Sequence, residues 1–431
     1  MNQKIYKALL GGALFCLLIF MVLWMMGFGA QSGLLLVICL VGFALAFQGL
    51  EGVKSFSYTF WIFAAVAVSM YYPDYFVKIG NFELKRLIVP LLQIIMVGMG
   101  ATMSLKDFAG VVRMPQGVFV GIACQFTIMP FLGFTIAYGF DFPPEIAAGI
   151  VLVGAAPSGL ASNVMSYIAK ANVALSITLT AVATLMAPLM TPFLMKTLAG
   201  QLVEVNFWKM MWDIIQVVIV PIAAGLIFNS VAHHKAPGFL YKPFLFFILI
   251  VLELIFQYVS WRVIPGITEI GLRNVLSQAL FITEFVFLWS TLLGLIFYLM
   301  KKPELVDQMM PFVSMTAIAM IITIITAAGR DDLLKIGALL ILACLIHNIM
   351  GYFLGYWACR IIGMDERSCR TIAIEVGMQN AGLASGLAMM MDKLATVGLA
   401  PAVFGPMMNI TGSSLATWWR GKPIDKDRLA V

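Results

Sequence analysis

The chain has 431 residues, of which 62% are hydrophobic and only 11% are charged. Soluble proteins carry roughly a quarter charged residues, so this composition excludes the soluble class. The net charge of +6 does not indicate a nucleic-acid partner, because positively charged loops orient membrane proteins. Recurrent apolar runs of about 18–25 residues, each long enough to cross the hydrocarbon core, predict an all-α polytopic protein of the lipid bilayer.

The apolar runs predict fourteen transmembrane spans. They cover residues 8–28, 32–49, 56–73, 84–103, 116–139, 145–168, 172–198, 207–229, 239–261, 275–300, 309–327, 333–359, 371–391 and 396–418. The first run, Leu9–Phe28, exceeds the apolar region of a signal peptide, which is about 7–15 residues, so we expect a retained helix. Cytoplasmic termini would place the larger share of the 27 lysine and arginine residues on cytoplasmic loops.

The tetrapeptide Gly-Leu-Ala-Ser occurs twice, at Gly159–Ser162 and Gly382–Ser385, in the sixth and thirteenth predicted spans. Chance similarity in a biased composition is the alternative explanation. Spans an odd number apart run in opposite directions, so the copies predict an inverted repeat with interrupted helices. The expected fold is a ten-helix core of five plus five spans with about four extra helices.

This repeat predicts the organisation of the whole chain. Two helix pairs interrupt or precede the repeats, and each pair preserves the direction of the spans that follow. The predicted segments are an extra N-terminal helix pair (1–55), a first five-helix repeat (56–206), the first helix of the second repeat (207–232), an inserted helix pair (233–308), the remainder of the second repeat (309–420) and a cytoplasmic tail (421–431).

Residues suited to enzymatic chemistry are sparse. The six cysteines have no Cys-x-x-Cys spacing and are interpreted as buried small hydrophobic residues. His347 is the only histidine in a predicted span, and no grouping of histidine, cysteine and aspartate lies beside it. We therefore expect a protein that is not an enzyme.

The first polar break covers Pro157–Asn163. Proline and glycine interrupt the helical hydrogen bonds there and free backbone carbonyls. Ser162 and Asn163 add side-chain oxygens, and Ser176 and Thr180 on the next span can present two more. Oxygen ligands suit a hard cation such as sodium, although serine and threonine can instead bond their own helix.

The second polar break covers Glu375–Asn380. Glu375 has no basic residue at helical spacing, and an unpaired carboxylate in the membrane costs several kcal/mol. It is expected to be protonated or to meet a bound cation. Gln379, four residues later, is expected on the same helical face, and Gln125 in the fifth span is a further amide.

The segments SNVMSYIAKANVALSITLTAVATLMAPLMTP, EVGMQNAGLASGLA and HNIMGY resemble the bile acid:sodium symporter family. The resemblance covers residues 56–230 and 309–420. It implies a prokaryotic-type member in the bacterial inner membrane that imports an organic anion with two sodium ions by alternating access, through two broken helices that cross. Transferred residue by residue, the first sodium site is Ser162, Asn163, Ser176, Thr180 and Glu375, and the second is Gln125, Glu375, Gln379 and the carbonyls of Val376 and Met378.

The substrate positions carry over less completely. Asn380 and Asn409 match substrate-facing polar positions, whereas Leu160 and Met408 replace a threonine and a histidine found in relatives. Both replacements remove hydrogen-bond donors, so the substrate stays open between a bile acid or steroid-like anion and a small carboxylate. The alternative function is a sodium-independent or proton-coupled carrier of small acids such as pantoate or a 2-oxoacid.

The inserted pair contains Glu253 and Glu284. A structural role is the favoured interpretation, and an extra proton-linked or regulatory site is the alternative. The sequence predicts no oligomeric state.

Overall fold

A computed structural model of the chain describes residues 3–50, 56–104, 107, 110–233 and 304–424. The described residues are almost entirely helical apart from one short hairpin. The predicted inserted helix pair, with Glu253 and Glu284, and most of the predicted tail lie outside the described residues.

Helices account for the architecture, and each predicted span on described residues overlaps a helix or a broken helix. The elements are α1 Gln3–Met25, α2 Gly33–Gln48, α3 Ser57–Tyr71, α4 Asp74–Val77, β1 Lys78–Ile79, β2 Phe82–Glu83, α5 Ile88–Thr102, α6 Gly110–Arg113, α7 Pro115–Gly139, α8 Pro144–Ala155, α9 Ala161–Ile168, α10 Val173–Leu194, α11 Phe207–Ile214, α12 Val220–His233, α13 Glu304–Ala328, α14 Arg330–Ile361, α15 Glu366–Gly377, α16 Ala381–Met390 and α17 Leu399–Arg420. Strands β1 and β2 form an antiparallel hairpin that pairs Lys78 with Glu83.

Several helices have the dimensions of membrane spans. Six helical segments in the described ranges are long and apolar enough to cross a membrane, as the ~30 Å hydrocarbon core requires. Shorter apolar helices include α8 and α16, each of which is one half of a broken helix. This is the architecture of an integral membrane protein.

The chain divides into two compact units. Unit one comprises Met1–Ile88, Ala109–Met211 and Ile318–Val431, and unit two comprises Val89–Phe108 and Trp212–Ala317. In unit two, the Asn229 amide donates to the carbonyls of Ala101 at 2.7 Å and Met103 at 2.9 Å. Carbonyls at the end of α5, which lack helical partners, are thereby satisfied.

In unit one, the N-terminal helices pack through an aromatic cluster. The rings of Phe43 on α2 and Phe60 on α3 lie 5.2 Å apart, and Phe47 meets Phe60 edge-on at 5.0 Å. Such aromatic pairs contribute about 0.5–1.5 kcal/mol beyond their buried area. Cys39 is buried and bonds the carbonyl of Ala13 on α1, so α1 packs on α2 and α2 on α3.

Two helices of unit one are broken, and their breaks meet. Helix α8 ends at Ala155 and α9 begins at Ala161, while α15 ends at Gly377 and α16 begins at Ala381. Between them the main chains form an antiparallel bridge that sets Ser158 opposite Gln379. Its two hydrogen bonds run from the amide of Asn380 to the Pro157 carbonyl at 2.7 Å and from Gly159 to Met378 at 3.4 Å.

The second break is shorter than the sequence indicates. Glu375 is still helical, and the break begins only after Gly377. The expectation that Glu375 and Gln379 share one helical face is therefore wrong, because Gln379 lies in the extended bridge. Asn380 then starts α16, since its side-chain oxygen accepts the Leu383 amide at 3.0 Å as an N-cap.

Close contact between α7 and α8 depends on Gly154. A Cβ atom built on Gly154 would lie against the carbonyl of Met129 and 3.1 Å from the Cα of Pro130. We expect Gly154→Ala to destabilise the protein by about 1–3 kcal/mol, since the opposing atoms are backbone and cannot turn aside. The measurement is the melting temperature in detergent.

The matched control is Gly337→Ala on α14, where a Cβ would meet nothing within 4 Å. Alanine at an open helical position is expected to be neutral or stabilising by up to about 1 kcal/mol. Equal melting temperatures for the two variants would contradict the close packing of α7 on α8.

Candidate functional site

The carboxyl group of Glu375 lies in the last turn of α15 and is only 2% exposed. The Ser176 hydroxyl donates to Oε1 at 2.5 Å, and the Thr180 hydroxyl donates to Oε2 at 2.9 Å. Both donors lie on α10, one turn apart. The side chains of Ser158 and Ser162 also reach the carboxyl group.

Around Glu375, the oxygen atoms that can accept a hydrogen bond outnumber the hydroxyl protons that can be donated to them. The Asn163 oxygen lies 2.8 Å from the Ser176 hydroxyl and 3.3 Å from that of Thr180, although each hydroxyl carries one proton. The Ser162 hydroxyl donates to the Gly159 carbonyl at 2.7 Å. We call this group the carboxylate cluster; its members are Ser162, Asn163, Ser176, Thr180 and Glu375, which are the first set of residues that the sequence singled out.

Two buried glutamines form a second group beside the bridge. The amide nitrogen of Gln125 on α7 donates to the Gln379 oxygen at 2.7 Å and to the Ala156 carbonyl at 3.0 Å. The Gln379 amide nitrogen donates to the Val376 carbonyl at 2.5 Å. The side-chain oxygen of Gln125 is buried and has no hydrogen-bond partner, which is unusual for a buried polar atom.

The structure assembles this second set, the glutamine cluster, only in part. Gln125, Gln379 and the Val376 carbonyl lie together, whereas the Met378 carbonyl accepts the Gly159 amide in the bridge. The hydroxyl bonds of Glu375 belong to the carboxylate cluster. In the predicted second site, Glu375 and the Met378 carbonyl would be sodium ligands. In this structure both accept hydrogen bonds from other groups.

Both clusters suit a monovalent hard cation. Their atoms are carboxylate, hydroxyl, amide and carbonyl oxygens, the ligands that hard cations prefer. Among the described residues, no group of three or more His, Cys, Asp or Glu side chains could hold a metal ion. The surplus acceptors around Glu375 and the unpartnered Gln125 oxygen both fit a positively charged ligand.

Two of the predicted substrate positions lie in the breaks, and the other two lie on α17. Asn380 is buried and its oxygen caps α16. The half-buried Asn409 on α17 donates to the Gly405 carbonyl of its own helix at 2.9 Å. Leu160, half-buried, precedes α9, and Met408 is buried with its carbonyl accepting the Tyr352 hydroxyl at 3.2 Å.

Sequence reasoning missed three polar residues near the breaks. Ser158 forms half of the bridge, and Asn348 on α14 donates to the Gly377 carbonyl at 2.8 Å. Thr411 on α17 donates in turn to Asn348. Asn348 could have been found from the sequence, because it is a polar residue in an apolar span and such residues mark functional positions by default.

Comparison with known proteins identifies transporters. Residues 89–270 match the model of the Sodium Bile acid symporter family. The chain is 31% identical over 363 residues to the uncharacterized sodium-dependent transporter YocS of Bacillus subtilis (strain 168), covering 84% of this chain and 90% of that protein.

Two eukaryotic relatives are also similar. The probable sodium/metabolite cotransporter BASS1, chloroplastic, of Arabidopsis thaliana is 29% identical over 330 residues, covering 76% of this chain and 65% of that protein. The ileal sodium/bile acid cotransporter of Oryctolagus cuniculus is 27% identical over 309 residues, covering 70% and 69%.

The bridge geometry predicts a specific cross-link. Ser158 and Gln379 form a non-hydrogen-bonded antiparallel pair, in which Cα atoms are about 4.5 Å apart, within the range of a disulfide. The double variant Ser158→Cys/Gln379→Cys should form a disulfide under mild oxidation. Intact-mass analysis after alkylation counts the free thiols, with each single variant as control. Alkylation of both new cysteines after oxidation would contradict the bridge.

Proposed function

Since the chain belongs to the sodium bile acid symporter family, we propose that it imports an organic anion together with sodium. It works in the inner membrane of a bacterium, with both termini cytoplasmic, by alternating access around the two breaks. The proposal rests first on one observation: a buried carboxylate surrounded by oxygen ligands. None of the ion pairs among the described residues includes Glu375.

A bound cation resolves the electrostatic problem that this carboxylate poses. A buried charge without a counter-charge costs several kcal/mol, and the hydroxyls of Ser176 and Thr180 supply only dipoles. Sodium at the carboxylate cluster would balance Glu375. The proposed ligands of this first ion are Ser162, Asn163, Ser176, Thr180 and Glu375.

A second sodium ion is proposed at the glutamine cluster. The unpartnered oxygen of Gln125 is the acceptor that supports it. The Met378 carbonyl accepts the Gly159 amide in the bridge, and its second lone pair can face an ion. The proposed ligands are Gln125, Glu375, Gln379 and the carbonyls of Val376 and Met378.

The anion is proposed to bind at the half-helix ends beyond the bridge. Helices α9 and α16 begin at Ala161 and Ala381, and helix N-termini carry partial positive charge that favours an anion. Asn380 and Asn409 are the proposed polar contacts. Leu160 and Met408 supply apolar side chains at positions where relatives place donors, so the proposal covers both a steroid-like anion and a small carboxylate.

Coupling then follows from linkage. If sodium favours the geometry that binds the anion, the anion must raise sodium affinity by the same factor. The bridge joins the main chains of the two breaks at Ser158 and Gln379. A change at Glu375 on sodium binding would therefore act on both breaks.

Removing the carboxylate should remove the coupling. We expect Glu375→Ala to abolish uptake driven by a sodium gradient while the protein remains folded, because the counter-charge for sodium is lost. Uptake of radiolabelled taurocholate and of pantoate into proteoliposomes, at fixed pH with a potassium control, measures this and separates a steroid-sized from a small substrate.

Two outcomes would overturn the proposal. Wild-type-like sodium-driven uptake by Glu375→Ala would remove the carboxylate from the mechanism. Accumulation by the wild-type protein under a proton gradient, with no effect of sodium on uptake or on melting temperature, would favour the proton-coupled carrier.

The second ion site has its own test. We expect Gln125→Leu to raise the sodium concentration for half-maximal uptake roughly tenfold, equivalent to about 1.4 kcal/mol, and to lower the Hill slope toward that of one ion. The control is Gln93→Leu on α5, which removes another buried amide whose nitrogen has no partner. Equal sodium dependence in both variants would contradict a sodium ligand at Gln125.

A further inference from the structure

A buried amide connects the second break to α17. Helix α15 ends at Gly377, whose carbonyl accepts the side-chain amide of Asn348 at 2.8 Å. Asn348 is fully buried on α14. Its oxygen accepts the hydroxyl of Thr411 on α17, so one side chain joins the broken helix to a helix that carries a proposed substrate contact, Asn409.

Tyr352, one turn further along α14, makes the same connection by packing. A Cβ atom built on Gly377 would overlap the Tyr352 ring, and one built on Gly412 of α17 would lie 3.0 Å from the Tyr352 hydroxyl and 2.9 Å from the Met378 sulfur. The absence of side chains at both glycines lets the break and α17 approach each other closely. Movement of Gly377 or Met378 is therefore transmitted to α17, because close-packed groups do not deform independently.

The hydroxyl protons in this group have alternative acceptors. The Thr411 hydroxyl also lies 3.1 Å from the Met407 carbonyl, and the Tyr352 hydroxyl can donate to the Met408 carbonyl at 3.2 Å or pair with Thr411 at 3.3 Å. Each hydroxyl has one proton. The group can therefore exchange a bond to Asn348 for one within α17.

The corresponding amide of the first repeat behaves differently. Gln125 on α7 donates to the Ala156 carbonyl just after α8, and Asn348 donates to the carbonyl of Gly377, the last residue of α15. The remaining oxygen of Gln125 has no partner, whereas that of Asn348 is bonded to Thr411. The Gln125 amide therefore belongs to the proposed ion site, and the Asn348 amide connects the second break to α17.

We infer that Asn348 and Thr411 are positioning residues that transmit sodium occupancy at the second break to the Asn409 face of α17. The inference rests on the proposed function. The peptide units of Val376 and Met378 supply proposed sodium ligands, and the Gly377 carbonyl between them is held by Asn348. Sodium binding reorients those peptide units, and the change reaches α17 through the Asn348–Thr411 bond.

The test uses sodium alone and a cysteine reporter on α17. Met407→Cys, at a half-buried position one turn from Thr411, is placed in a Cys16→Ala background, because the other five cysteines are buried. Sodium-dependent melting temperature reports ion binding, and the rate of maleimide labelling with and without sodium reports the response of α17. Sodium should change this rate about fivefold or more, the lower range of allosteric coupling.

Thr411→Val should remove the effect of sodium on labelling and leave the sodium-dependent melting shift intact, while Thr411→Ser should restore the effect. Thr127→Val is the matched control, since the Thr127 hydroxyl bonds the Ala123 carbonyl of its own helix at 2.6 Å. The inference would be overturned if sodium still changed the labelling rate in Thr411→Val. It would also be overturned if sodium did not change the labelling rate of the Met407→Cys reporter that retains Thr411. Loss of the melting shift in Thr411→Val would assign Thr411 to ion binding instead. No melting shift in the unsubstituted protein would overturn the proposed function itself.

Discussion

The burial of one carboxylate constrains the rest of unit one. Glu375 has lost nearly all contact with solvent, and a charge in that setting requires donors or a cation. Thr371, one turn before Glu375 on α15, donates its hydroxyl to the carbonyls of Asn172 and Arg367 instead. The donors come from α10, through Ser176 and Thr180, so the last turn of α15 depends on α10 to satisfy its carboxyl group.

The crossing of the broken helices satisfies the polar groups that the breaks expose. Every interrupted helix leaves carbonyls and amides without helical partners, and in a membrane these must find partners within the protein. Each break supplies partners for the other through the bridge, and buried amides on α7 and α14 complete the set. The satisfied carbonyls are those of Ala156, Pro157, Gly377 and Met378.

The sequence predicted the helices of the described residues and the two breaks, and the family resemblance singled out the residues that the structure gathers in the carboxylate cluster. Hydropathy marks spans because a helix must cover the hydrocarbon core, and proline and glycine mark breaks because they interrupt its hydrogen bonds. The end of α15 was placed too early because Gly377 is tolerated as a last helical residue. The partnership of Asn348 with Thr411 depends on packing between helices distant in sequence, which no local pattern encodes.

The bridge between the breaks is built from main-chain atoms. Its two hydrogen bonds use the amides of Gly159 and Asn380 and the carbonyls of Pro157 and Met378, none of which depends on side-chain identity. Side chains around the crossing can therefore diverge over evolution without dismantling it. Substitutions at the proposed substrate positions Leu160 and Met408 would therefore leave the framework that holds Glu375 in place.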